Sequence, residues 1–194
     1  MRLVAIFVVL LALARHAAAE DGIAPLPRTT FAFSFAGQGI SVGGLGQGGG
    51  GPSVELALGE GRWQYFVEAA LMWVGVGSAG QSVEGILARG GVGVRWLVRA
   101  FEVDASGGIE MNLEAVSGLE QFWWLQGGRL TRPDLGAGVG WQVRLYRRPK
   151  LAVRFGLRAM FAPTDGSLMA ACRGTCANRP ASAPGFMGSF GVAW

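Results

Sequence analysis

From Thr29 onward, hydrophobic residues recur at every second position, which is the period of a β-strand with two different faces. "TTFAFSFAGQ" places Phe31, Phe33 and Phe35 on one face and Thr30, Ala32, Ser34 and Gln38 on the other. Val54, Leu56 and Leu58 alternate with Glu55 and Ala57. Trp63, Tyr65, Val67, Ala69, Leu71 and Trp73 alternate with Gln64, Phe66, Glu68 and Ala70. Ile86, Ala88, Val92, Val94, Trp96 and Val98 oppose Arg89, Gly91, Gly93 and Arg95. A fifth segment sets Phe101, Val103, Ala105, Ile109 and Met111 against Glu102, Asp104, Ser106 and Glu110. A sixth runs from Asp134 through Leu135, Ala137, Val139, Trp141, Val143 and Leu145, with Gln142 and Arg144 opposite. The seventh opposes Leu151, Val153, Phe155, Leu157, Ala159 and Phe161 to Arg154, Gly156 and Arg158. The eighth is the ending "GFMGSFGVAW".

Eight strands with no intervening helical pattern predict an all-β, antiparallel, up-and-down barrel with both ends on one side. Most segments reach about 10 residues, enough to cross a bilayer at a tilt. "GEGR", "RA" and "RRPK" read as short turns at one end. Gly43–Pro52, Gly77–Ser82, Leu113–Pro133 and Pro163–Gly185 read as longer loops at the other, the layout of a membrane barrel with short periplasmic turns.

The two faces differ in chemistry. The apolar face of the eight segments carries no charge, whereas the opposite face carries Glu55, Glu68, Glu102, Asp104, Glu110 and Asp134 together with Arg89, Arg95, Arg144, Arg154 and Arg158. Charged residues are 15% of the chain, against about 25% in a usual soluble domain, while hydrophobic ones are 51% and glycine supplies 33 positions. A water-facing surface is normally rich in lysine; beyond the N-terminal segment only Lys150 occurs. The arrangement predicts lipid outside and paired charges inside, since unpaired charge in a narrow lumen is costly. Phe31, Trp63, Trp96, Phe101 and Trp194 fall at the short-turn end, and Trp73, Phe161 and Phe186 near the other, as two interfacial girdles would.

Residues 1–19 pair a basic start at Arg2 with an apolar stretch and small residues at Ala17 and Ala19, the pattern of a secretory signal peptide. Residues 20–28 form a short N-terminal segment, and 29–194 the barrel. Without Arg2 and Arg15 the formal charge falls from +4 to +2, so the basic balance gives no case for nucleic acid. Export favours oxidation of Cys172 with Cys176 to a loop disulfide. A metal site would need about four ligands, and no histidine follows His16, so neither a metal nor a cofactor is expected.

The chain resembles the small eight-stranded outer-membrane barrels of the OmpA/OmpX/OmpW-like group, over residues 29–194. Phe186, Phe190, Val192 and Trp194 match that group's alternating C-terminal signal ending in an aromatic residue. The resemblance implies a Gram-negative outer-membrane location, outer-membrane lipid as surroundings, and recognition of the last strand by the barrel-assembly machinery. The high glycine content departs from the group.

Several functional readings follow. The leading one is a non-enzymatic integral barrel that acts as a structural or interaction module through long external loops, with an extracellular or envelope protein as partner. A narrow channel for small solutes or apolar molecules is the alternative, and a soluble periplasmic ligand-binding barrel a third. Enzymatic members of such barrels rely on a histidine base, which the mature chain lacks. Phe122, Trp123 and Trp124 are unusually apolar for a loop. They read as strand extensions, an interfacial aromatic patch, or a surface for a partner.

Overall fold

A computed structural model describes residues 29–42, 45–60, 62–78, 81–102, 107–125, 129–145, 151–163 and 182–194. The strands are β1 (Thr29–Val42), β2 (Leu45–Glu60), β3 (Trp63–Ser78), β4 (Gln81–Glu102), β5 (Gly107–Trp124), β6 (Arg129–Leu145), β7 (Ala152–Pro163) and β8 (Ser182–Ala193). They close in sequence order into an antiparallel barrel. The closing seam joins β1 to β8, with Phe33 opposite Val192 and Phe35 opposite Phe190. Beyond β8, Phe31 and Trp194 exchange two backbone hydrogen bonds of 2.9 Å. No sheet edge remains among the described strands, which a membrane requires because lipid cannot satisfy free backbone groups.

Alternation sorts the side chains as the period demands. Phe33, Leu56, Val67, Leu71, Leu119, Leu135 and Leu157 are exposed on the outside. Arg89, Arg95, Glu114, Glu120, Arg132 and Asp134 are buried within. The ten residue steps from Trp63 to Trp73 rise about 33 Å along the strand, and a tilt of about 40° brings that to ~25 Å, the height of a bilayer's apolar band. Phe31 packs on Trp194 and Trp63 on Trp96 toward the terminal end. Trp73, Phe161 and Phe186 are exposed toward the far end. Among residues of described exposure, the only exposed charges are Glu84 and Arg129. Glu84 pairs with Gly75, beyond Trp73, and Arg129 pairs with Trp123. Among the described residues the outside is therefore apolar where lipid meets it and charged only near the far margin. This excludes the soluble periplasmic barrel, whose apolar face would turn inward.

Three connections differ from the sequence expectation. The "RA" turn does not form: β4 continues to Glu102, and Arg99 and Ala100 pair with Met111 and Glu110. The slip in period between Val98 and Phe101 is absorbed by a bulge between Leu97 and Arg99, not by a turn. The glycine-rich Gly43–Pro52 stretch is mostly strand, with Gly46–Gly51 paired to both neighbours over much of its length. Glycine carries no side chain, so the alternation vanished there while the strand did not. Leu113–Pro133 likewise belongs to β5 and β6, leaving only residues 125–128 between them, and Gly77–Ser82 shrinks to 79–80. The Pro163–Gly185 loop begins and ends inside β7 and β8, and residues 164–181 lie outside the described ones. Three of the four far-end connections are thus short.

Inward glycines make room for large luminal side chains. A Cβ on Gly93 would lie 2.3 Å from the Phe66 ring and 2.6 Å from the Ala115 carbonyl. A Cβ on Gly140 would lie 2.7 Å from a Glu114 carboxylate oxygen. Gly93→Val is therefore expected to displace Phe66 and cost about 1–3 kcal/mol, as overpacking does. A lowered urea midpoint in detergent micelles checks this, and an unchanged midpoint refutes it.

Candidate functional site

The lumen is the candidate site, because every buried charge of the described residues converges there. Four arginines and four carboxylates form one continuous chain of ion pairs. Arg89 grips Asp134 with two parallel bonds, Nε to Oδ2 at 2.8 Å and Nη2 to Oδ1 at 2.7 Å, and also reaches Glu68. Arg158 donates to Glu68 at 2.7 Å and, through Nε, to Glu114 at 2.9 Å. Arg95 Nε donates to Glu114 at 2.6 Å, and its Nη2 to Glu55 at 2.8 Å. Arg154 binds Glu55 at 2.6 Å and approaches Glu114 at 3.5 Å. Glu114 is the hub, touched by three guanidinium groups. Phe66 packs against two of them, with Arg95 at 4.9 Å and Arg158 at 5.2 Å from its ring centre. Such stacking suits arginine, whose planar cation is weakly hydrated.

This network spans β2 through β7, with partners up to 99 residues apart in sequence. Its bonds run across the lumen and tie opposite walls together. Beside it lies a cavity of about 30 Å³ lined by Ser34, Ser53, Ser189, Glu55, Glu68, Arg154 and Arg158. That is room for a couple of water molecules, not a passage. Toward the far end an apolar layer of Met72, Val74, Leu87, Phe122, Met160 and Met187 follows. Among the described residues, ion pairs and then methionines occupy the lumen, whose width in an eight-stranded barrel suits side chains.

Of the charges expected inside, Glu55, Glu68, Arg89, Arg95, Asp134, Arg154 and Arg158 come together in the network. Glu110 and Arg144 form a separate pair at 2.9 Å on the terminal side. Glu102 ends β4 opposite Gly108, its side chain outside the described ones, and Asp104 lies outside the described residues altogether. So do Cys172 and Cys176 and residues 1–28. Sequence reasoning missed Glu114, Glu120 and Arg132, because it stopped the fifth strand at Asn112. The signal was present: Glu114, Val116, Glu120, Phe122 and Trp124 continue the inward period, against Leu113, Ala115, Leu119 and Trp123 outward.

The Phe122–Trp124 stretch is accordingly not a loop patch. It is strand, and alternation splits it. Phe122 is fully buried in the lumen with Trp124 stacked on it at 5.4 Å, while Trp123 is exposed outside. Phe186, Phe190, Val192 and Trp194 are all exposed on the outer face of the closing strand.

No protein-family model matches the chain, and no curated protein matches it by sequence. Solved structures do match. Neisserial surface protein A overlays with a TM-score of 0.58 at 14% identity, covering 86% of this chain and 96% of its own. Ail, the attachment invasion locus protein of Yersinia pestis, gives 0.41 at 14% identity over 86% of this chain and 97% of its own. The N-terminal barrel domain of Pseudomonas aeruginosa OprF gives 0.35 at 11% identity over 83% and 96%. The first of these establishes a shared fold, that of the small eight-stranded outer-membrane barrels. An apolar exterior of bilayer height around a charged interior, on that fold, makes the chain an integral barrel of the Gram-negative outer membrane.

Proposed function

We propose that the protein is a non-enzymatic outer-membrane barrel with a closed lumen, serving as a structural and interaction module at the cell surface. The observation that carries the reading is the luminal filling: ion pairs crossing between distant walls, Arg158 to Glu68 and Arg154 to Glu55, capped by a buried methionine and aromatic layer. Both termini of the barrel lie at one end, which we assign to the periplasm. The far end then faces outward, and β3 and β4 run on past Trp73 to Ser78 and Gln81. This rim is the surface we assign to a partner. The name of Neisserial surface protein A is consistent with display of this kind. The sequence after His16 offers no imidazole base, which supports a non-enzymatic role.

Planar-bilayer recording of the purified protein tests the reading. The expected result is no stepwise conductance. Steady single-channel currents would overturn it and favour the narrow-channel alternative.

A further inference from the structure

Among residues of described exposure, one exposed cation stands on the outer wall, and it has no counter-ion. Arg129, at the start of β6, pairs with no carboxylate of the described residues. Glu84, the other exposed charge, sits two strands away on β4. Gln121, its amide oxygen turned toward Arg129, accepts from Nε and, at 2.6 Å, from Nη2. The guanidinium is thus held by its side edge. Its end-on edge, one hydrogen each of Nη1 and Nη2, stays unbonded. In the ladder Trp123 opposes Arg129 and Gln121 opposes Thr131, so an indole and a hydroxyl flank the cation. The next outward pair toward the terminal end is wholly apolar: Leu119, 60% exposed, opposite Pro133.

The barrel register gives the depth of this group. Followed once round the barrel, the row of paired residues that leaves Trp63 at Trp96 returns to β3 at Trp73, ten residue steps farther toward the far end. Each step in the order β3, β4, β5, β6 therefore climbs about 3 Å along the axis at the usual strand tilt. Arg129 follows Trp73 by three such steps, through Ile86 and Trp123, and so lies about 9 Å beyond it. With Trp73 at the edge of the hydrocarbon, that is the depth of lipid headgroups. The wall thus presents apolar side chains at the level of acyl chains and a free guanidinium edge directly above them. A lipid with an anionic phosphate matches both parts: its chains lie on Leu119 and Pro133, and two phosphate oxygens meet the two free N–H groups. We infer that Arg129, steadied by Gln121 and flanked by Trp123 and Thr131, is a binding site on the outer wall for the phosphate of a membrane lipid. The site rests on the membrane reading of the exterior and not on the closed lumen.

The test reconstitutes the barrel in phosphatidylcholine vesicles that hold a small fraction of phosphatidic acid. Either lipid carries a spin label near the glycerol end of one chain, and the label quenches tryptophan emission. The difference between wild type and Trp123→Phe isolates the emission of Trp123. Labelled phosphatidic acid is expected to quench that emission as if enriched about fivefold over its bulk fraction, relative to equally labelled phosphatidylcholine. Arg129→Gln should remove the enrichment, and Arg129→Lys, which keeps the charge and loses the fork, should fall between. Both substitutions are at an exposed position and leave the luminal network intact. Equal quenching by the two lipids in wild type would overturn the site, as would an enrichment that survives Arg129→Gln. Displacement by inorganic phosphate at the same bulk concentration would make the ligand the free anion and overturn the lipid assignment. Quenching by neither lipid would sink the membrane reading and the site with it.

Discussion

Glu114→Ala is expected to cost the barrel about 3–5 kcal/mol, the usual penalty for leaving buried charges without their partner. The effect is large because Glu114 serves three arginines at once. Arg95 and Arg158 donate to it at 2.6 and 2.8 Å, and Arg154 lies at 3.5 Å. Its side chain and those of Arg95 and Arg158 are nearly inaccessible, so water cannot replace the lost carboxylate without opening the lumen. Arg95 and Arg154 keep Glu55, and Arg158 keeps Glu68, so the network would survive with an excess of positive charge. Urea unfolding in micelles should show a markedly lower midpoint or poor refolding. A second substitution separates charge balance from packing. Arg158→Met alongside Glu114→Ala removes one of the stranded cations and should recover part of the loss. If the double variant is as unstable as the sum of its parts, the network is a set of independent pairs and the hub assignment fails.

The same residue shows where sequence reasoning reached its limit. The two-residue period was sufficient to find eight strands, their faces and their closure, because lipid outside and charge inside enforce alternation at nearly every position. Strand ends were less legible, for two physical reasons. Glycine erased the pattern over Gly46–Gly51, where the lumen needs space: a Cβ on Gly49 would lie 2.5 Å from a Val74 side-chain methyl. Beyond the apolar band the outer face no longer needs to be greasy, so Gln121 and Arg129 follow Leu119 outward and the stretch resembled a loop. Ending the fifth strand at Asn112 also left out the charges beyond it, Glu114 in the middle of β5 among them. Pairing itself was not readable in any case. Arg154 meets Glu55 across 99 positions, and only the barrel register, which displaces each strand against the next, brings such residues to one level.

Val67→Arg is expected to destabilise the barrel in a bilayer by about 2–4 kcal/mol, because a cation near the midplane loses its hydration. Val67 lies between the two girdles on β3, four residues from Trp63 and six from Trp73, and is 51% exposed on the outer face. Exposure that large would make the substitution nearly neutral in water, where a surface arginine is ordinary. The sign of the contrast thus reports what covers the surface. Gln121→Arg supplies the control: it also faces outward, but near the far margin, where the same charge should cost about 0–1 kcal/mol. The two residues beside Val67 show that the cost arises from lipid and not from charge on this strand. Glu68, the next residue, points inward and binds Arg158, so the period of two predicts opposite environments for adjacent positions. Phe66 on the inner face already packs against two arginines, so charge as such is tolerated by this strand when a counter-ion is near. Unfolding of both variants from lipid vesicles measures the difference. Equal stabilities for Val67→Arg and Gln121→Arg would mean that the apolar band is not in contact with hydrocarbon.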